Sequence, residues 1–164
     1  ILDLMENFDL ERDRANEDLM NELIHRSVSV KARVVSGDFK ESYEREILNY
    51  GHTLGHAVEK LSQYSLRHGE AVSIGLVFAA HLSMIHCGLD EKIVEQHRRL
   101  LSKIGLPITY QQSAFAELLA FMSIDKKSRG SNIRFVGISA VAKTQRIEGL
   151  TSDDLAHVYE KISV

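Results

Sequence analysis

A single proline, Pro107, stands in the whole 164-residue chain. Proline is the residue that most reliably interrupts a helix, so long helices are permitted almost everywhere here. Apolar side chains recur at helical spacing over residues 15–36, with Leu19 and Leu23 on one line and Met20, Ile24, Val28 and Val35 on another. The polar run SGDFKES at 36–42 predicts a loop. A second helix is expected from about Tyr43 to Leu61, and a third from Gly69 to Cys87, ending at Gly88. Asp90 is placed to cap a fourth, Glu91 to Ile104, with Gly105 and Pro107 as stop signals. A shorter helix, Ala114 to Met122, precedes DKKSRGSN at 125–132, which reads as a polar, turn-rich loop.

IRFVGIS and TQRIEG, rich in β-branched residues and bracketed by glycine, read as two short strands. TSDDLAHVYEKI closes the chain as a capped helix. The expectation is one mainly α domain: an orthogonal helical bundle with a small two-stranded β hairpin near the C-terminus. The weakly charged run from Ala71 to Gly88 has about membrane-spanning length. It carries Ser73, His81, Ser83 and His86, which favours a buried core helix.

Charge narrows the partners. Twenty basic residues against 23 acidic ones leave a net charge of −3, without the electrostatic footprint of a nucleic-acid surface or a polybasic membrane surface. The single cysteine, Cys87, cannot form an internal disulfide and has no second thiol with which to build a metal pair. Both features fit a reducing cytoplasm. The chain opens ILDLMENF, with no initiator Met and no signal-peptide layout, and reads as part of something longer.

The chemistry concentrates in REILNYGHTLGHAVE, residues 45–59. On a helix, Arg45, Asn49, His52, His56 and Glu59 fall within an arc of roughly 80°, opposite Ile47, Leu54, Val58 and Leu61. The plain alternative is a solvated face. Such faces favour Lys, Glu and Gln, whereas this one offers two imidazoles, an amide and a guanidinium, which coordinate or hydrogen-bond directionally. Gly51 and Gly55 each cost about 1 kcal/mol relative to Ala in a helix interior, an expense that makes sense where backbone or ligand must approach closely. RHGEAV follows and puts His68 at the entrance of the next helix, free to point back at the same place. Two or three neutral imidazoles plus a carboxylate form the ligand set of a catalytic zinc. The pair is not the zincin motif, because Gly55 stands where that motif has its glutamate.

LNYGHTLGHAVE followed by HGEAVSIGLVFAA resembles the signature of the dehydroquinate synthases, the cyclases of the shikimate pathway of aromatic amino acid biosynthesis. RSVSVKARVVSGD upstream and DKKSRGSNIRFV downstream are similar to further segments of that family, in the same order. The resemblance implies that residues 1–164 are the C-terminal, metal- and substrate-binding helical domain. His52 and His68 are then zinc ligands. Lys31, Arg45, Asn49, His56 and one of Lys126 and Lys127 contact substrate. The third protein ligand, a glutamate, would lie just before residue 1; Glu6 and Glu11 stand in the wrong local context.

The implied reaction converts 3-deoxy-arabino-heptulosonate 7-phosphate to 3-dehydroquinate and phosphate, a phosphate-eliminating lyase reaction. NAD transiently oxidises a ring hydroxyl, phosphate leaves, the ketone is reduced again, and the ring closes by an aldol step. Arginine offers a planar fork for the carboxylate of such a phosphorylated keto acid, and lysine a point charge for its phosphate. No G-x-G-x-x-G follows a strand, so NAD falls to an N-terminal domain outside this sequence. The family also implies a homodimer for the full-length enzyme. The alternatives are another sugar phosphate cyclase, of inosose or valiolone type, or the metal domain of an iron- or zinc-dependent polyol dehydrogenase. A simple alcohol needs no ring of cations, which argues against the last. His25, His81, His86, His97 and His157 belong to no constellation and read as core or surface residues.

Overall fold

A computed structural model describes residues 1–37, 46–129 and 133–164, with only the backbone described at 37 and 124–129. The order is α1 (Leu2–Asn7), α2 (Leu10–Asp13), α3 (Glu17–Gly37), a 3-10 turn (Ile47–Asn49), α4 (His52–Leu61), α5 (His68–Cys87), α6 (Glu91–Lys103) and a second 3-10 turn (Gln112–Ala114). Then follow α7 (Phe115–Arg129), β1 (Phe135–Ala140), β2 (Lys143–Ile147) and α8 (Ser152–Tyr159). The mainly α expectation holds, and the two strands form the predicted antiparallel hairpin, with Phe135 opposite Ile147 and a register shift between Ile138 and Ala140.

α5 is the axis of the molecule. It is apolar nearly all round, as suits a helix packed against several elements at once. Ala71, Ile74, Val77, Phe78 and Leu82 enter one continuous core with Leu54 and Val58 of α4, Leu118 and Met122 of α7, and the hairpin's Phe135 and Ile147. Leu155 and Val158 of α8 and the following Ile162 close that core from the C-terminal side. α5 is long and apolar enough to cross a membrane by length and composition, but its role here is that of the central core helix. One of its buried polar groups links it to the hairpin: the Ser83 hydroxyl donates to the Ala79 carbonyl (2.6 Å) and accepts from the Ile138 amide (3.0 Å), tying α5 to β1. Asp90 caps α6 as predicted, its carboxylate accepting from the Lys92 amide (2.9 Å). Thr151 and Asp154 form a reciprocal capping box at α8.

Two features depart from the sequence reading, and a third lies beyond what it addressed. The second helix is interrupted, and its expected start at Tyr43 lies outside the described residues. Its described part is the 3-10 turn at Ile47–Asn49, then a break at Gly51 in the left-handed region (φ +79°), and α4 begins only at His52. The run predicted as a loop from residue 125 is helical as far as Arg129, because α7 continues through it. And α3 is a helix whose apolar line stays uncovered among the described residues: Ile24 and Val28 are 56% and 59% exposed.

The glycines of the motif are explained by helix packing. α4 and α5 cross with backbones in contact: a Cβ on Gly75 would lie 1.9 Å from the Gly51 carbonyl oxygen, and one on Gly55 would lie 3.1 Å from Val72 Cα. Of the two reasons for close approach, backbone against backbone is the one seen.

Candidate metal centre

The crossing brings the start of α4 beside the start of α5. His52 is the first residue of α4 and His68 the first of α5, while His56 lies one turn further along α4. The three imidazoles form a triangle, with centroids 5.3 Å apart for His52–His56, 5.4 Å for His52–His68 and 5.9 Å for His56–His68. Glu59, one turn beyond His56, completes the group: single ligand atoms of His56, Glu59 and His68 all lie within 4.8 Å of one another.

Hydrogen bonds fix two of the rings. His52 Nδ1 lies 3.1 Å from the Tyr50 carbonyl oxygen, and His68 Nδ1 lies 3.1 Å from Glu59 Oε1. Carbonyl and carboxylate oxygens only accept, so each Nδ1 carries a proton, and in the neutral imidazole it is Nε2 that offers the lone pair. Burial pushes the His52 imidazole below the ordinary histidine value, the Tyr50 carbonyl pulling the other way. Its neutral form, the one that binds metal, is thus present at neutral pH. The donor set of two oriented imidazoles, a third beside them and an adjacent carboxylate suits a borderline-soft divalent ion such as zinc.

Asn49 is exposed at the end of the 3-10 turn, three residues before His52. Lys31 is exposed on α3, and no hydrogen bond or ion pair among the described residues joins it to the imidazoles. Arg45 lies outside the described residues. Lys126 and Lys127 fall in the last turns of α7, where side chains are not described. The structure therefore assembles the imidazole part of the predicted site; of its cationic part only the Lys31 side chain is described, and it is not joined to the imidazoles. Sequence reasoning placed Glu59 on the stripe without giving it a task; its spacing of three from His56 was the available signal. It missed Tyr50 altogether, for which no signal existed, since any residue supplies a carbonyl.

The walls around the centre are braced from far along the chain. Thr53 Oγ1 donates to the Arg134 carbonyl (3.0 Å), and Arg146 of β2 pairs with Glu46, just before the 3-10 turn. An apolar cavity of about 350 Å³ lies behind Tyr50, lined among others by Leu76, His97, Leu100, Ile104 and Ile138. It does not include the imidazole triangle.

The profile of a family described as 3-dehydroquinate synthase C-terminal matches residues 1–128. The 3-dehydroquinate synthase of Corynebacterium diphtheriae is 49% identical over 143 residues, covering 87% of this chain and 40% of that protein. That of Paenarthrobacter aurescens is 49% identical over 164 residues, covering 99% and 45%. Among solved structures, the 2-epi-5-epi-valiolone synthase of Streptomyces hygroscopicus subsp. jinggangensis, with NAD+ and Zn2+ bound, shares the fold with a TM-score of 0.85. Its identity is 17%, and the match covers 98% of this chain and 45% of that one. The chain spans less than half the length of these relatives.

Proposed function

The chain belongs to the 3-dehydroquinate synthase C-terminal family, and on that premise we propose that residues 1–164 form the metal- and substrate-binding domain of a 3-dehydroquinate synthase. The observation that carries this reading is the convergence of His52, His56 and His68 with Glu59 at the entrances of two helices. The reaction is the conversion of 3-deoxy-arabino-heptulosonate 7-phosphate to 3-dehydroquinate and phosphate, a lyase step of the shikimate pathway, in the cytoplasm. The working enzyme includes an N-terminal domain outside this chain and acts as a homodimer.

His52 and His68 would hold the metal through Nε2, with a third ligand supplied from outside the chain. Zinc, when bound, supplies Lewis-acid chemistry, lowering the pKa of alcohol oxygens. NAD, held mainly by the N-terminal domain, supplies the hydride acceptor and donor. His56, beside the two ligands and itself exposed, accepts or donates a hydrogen bond to a substrate hydroxyl, with Asn49 next to it. Lys31, Arg45 and one of Lys126 and Lys127 neutralise the substrate's carboxylate and phosphate, a positioning role. Relatives about 49% identical carry the dehydroquinate synthase name. That supports the keto acid over the carboxylate-free substrates of other cyclases.

The test is phosphate release by the full-length polypeptide with NAD and zinc, alongside zinc affinity from chelator competition. Wild type should turn over the keto acid phosphate, while His52→Ala and His68→Ala should lose both zinc and turnover. The 164-residue chain alone should bind zinc weakly and release no phosphate. Turnover by that chain alone, or a full-length enzyme indifferent to His52→Ala, would overturn the reading.

A further inference from the structure

The geometry points to Glu59 as the residue that positions His68: its carboxylate accepts a hydrogen bond from Nδ1–H, sets the tautomer and aims Nε2 at the metal. This rests on the metal-binding reading above and adds to it a role for a residue outside the proposed ligand set.

Three observations converge. First, the distance from His68 Nδ1 to Glu59 Oε1 is 3.1 Å, within hydrogen-bonding reach, and the carboxylate is the side that must accept. Second, the same pattern is built independently at His52, where the Tyr50 carbonyl accepts a hydrogen bond from Nδ1–H at the same 3.1 Å. Both rings therefore spend the same nitrogen on the protein and keep the same nitrogen free. Third, the two partners differ in exposure: the Glu59 side chain is 14% exposed and that of His68 58%. The carboxylate is held on the protein side and the ring reaches outward from it, as a support and its ligand would.

The need for a carboxylate at His68 and only a carbonyl at His52 follows from the chain. Tyr50 precedes His52 by two residues, so the local turn delivers a backbone oxygen. His68 opens its helix after the link 62–67, and its acceptor comes from the neighbouring helix, nine residues earlier in sequence. Carboxylate–histidine–metal arrangements raise ligand basicity as well as orienting the ring. Glu59 can alternatively be drawn as a direct ligand with His56 and His68, since their ligand atoms lie within 4.8 Å. The variants below separate the two roles.

In the full-length polypeptide, zinc affinity is measured by competition with a chromophoric chelator for wild type, Glu59→Gln, Glu59→Ala and His68→Ala. A positioning role predicts that Glu59→Ala weakens binding about 10–100-fold. Glu59→Gln should lose less, because its amide oxygen still accepts from Nδ1, and His68→Ala should lose more than either. Cobalt-substituted Glu59→Ala, once saturated, should keep the visible absorption of wild type, because the atoms bound to the metal are unchanged. Apo melting temperatures of wild type and Glu59→Gln should agree. Unchanged affinity in Glu59→Ala overturns the positioning role. Losses in both Glu59 variants equal to that of His68→Ala, with an altered cobalt spectrum, overturn it in favour of direct ligation. A wild-type protein without zinc affinity overturns the metal centre itself, and is thereby distinct from a failure at Glu59 alone.

Discussion

A methyl group on Gly75 would meet the Gly51 carbonyl oxygen at 1.9 Å and the Gly55 amide nitrogen at 2.9 Å. Neither atom belongs to a flexible side chain, so the two helices would have to part. Gly75→Ala is expected to destabilise the fold by about 1–3 kcal/mol or more, measured by urea denaturation. Gly69→Ala is the control, since a Cβ there meets nothing within 4 Å; it should be neutral or stabilising by up to about 1 kcal/mol. At this scale the sequence was legible for side chains with distinctive chemistry. His52, His56 and His68 stood out by spacing and type. Gly75 did not, because its constraint comes from a residue 24 positions away, and Tyr50 did not, because its contribution is a carbonyl. His97 offers a second residue-level test. Burial, partly offset by the Ile93 carbonyl, holds its imidazole below the ordinary histidine value, and burial does the same for His81. Unfolded chains take up these protons near pH 6.5, before the native state does, so stability present above that pH is lost as pH falls through it. Melting temperature should fall from pH 7.5 to 5.5, and less steeply in His97→Gln.

Among the elements, α3 shows what periodicity can and cannot tell. The spacing of Met20, Ile24, Val28 and Val35 correctly gave a helix, yet Ile24 and Val28 are more than half exposed among the described residues. Periodicity reports that a face is apolar and is silent about what covers it. The double variant Ile24→Lys, Val28→Glu should therefore change the unfolding free energy of this chain by no more than about 0.5 kcal/mol, read from the same urea curves. The break ahead of α4 was hidden for a different reason. Gly51 looked like a tolerated helix glycine, and only its positive φ reveals that the helix begins after it. This places His52 at a helix start, where the chain turns back and the Tyr50 carbonyl becomes available. The end of α7 was misjudged because Asp125, Lys126, Lys127, Ser128 and Arg129 carry polar turn-like side chains with no glycine or proline among them to stop the helix.

For the molecule as a whole, the sequence disclosed the fold class and the hairpin because both depend on local pattern. The convergence of α4 and α5 was legible only through the resemblance of their motif to a known family, since nothing local says which helices cross. The family profile matches residues 1–128, but the folding unit does not stop there. Phe135, Ile147, Leu155, Val158 and Ile162 are buried in the same core as α4 and α5. Thr53, beside the first imidazole, is tied to Arg134, and Glu46 to Arg146. The matched segment thus holds every residue of the imidazole triangle and lacks the wall against which its helices set. A chain ending at residue 128 would expose the hairpin-facing side of α5, and circular dichroism and size-exclusion chromatography should find it unfolded or aggregated. The last 36 residues act as a lid nailed on from inside: the boundary within which the signature is recognisable is narrower than the boundary within which it can take shape.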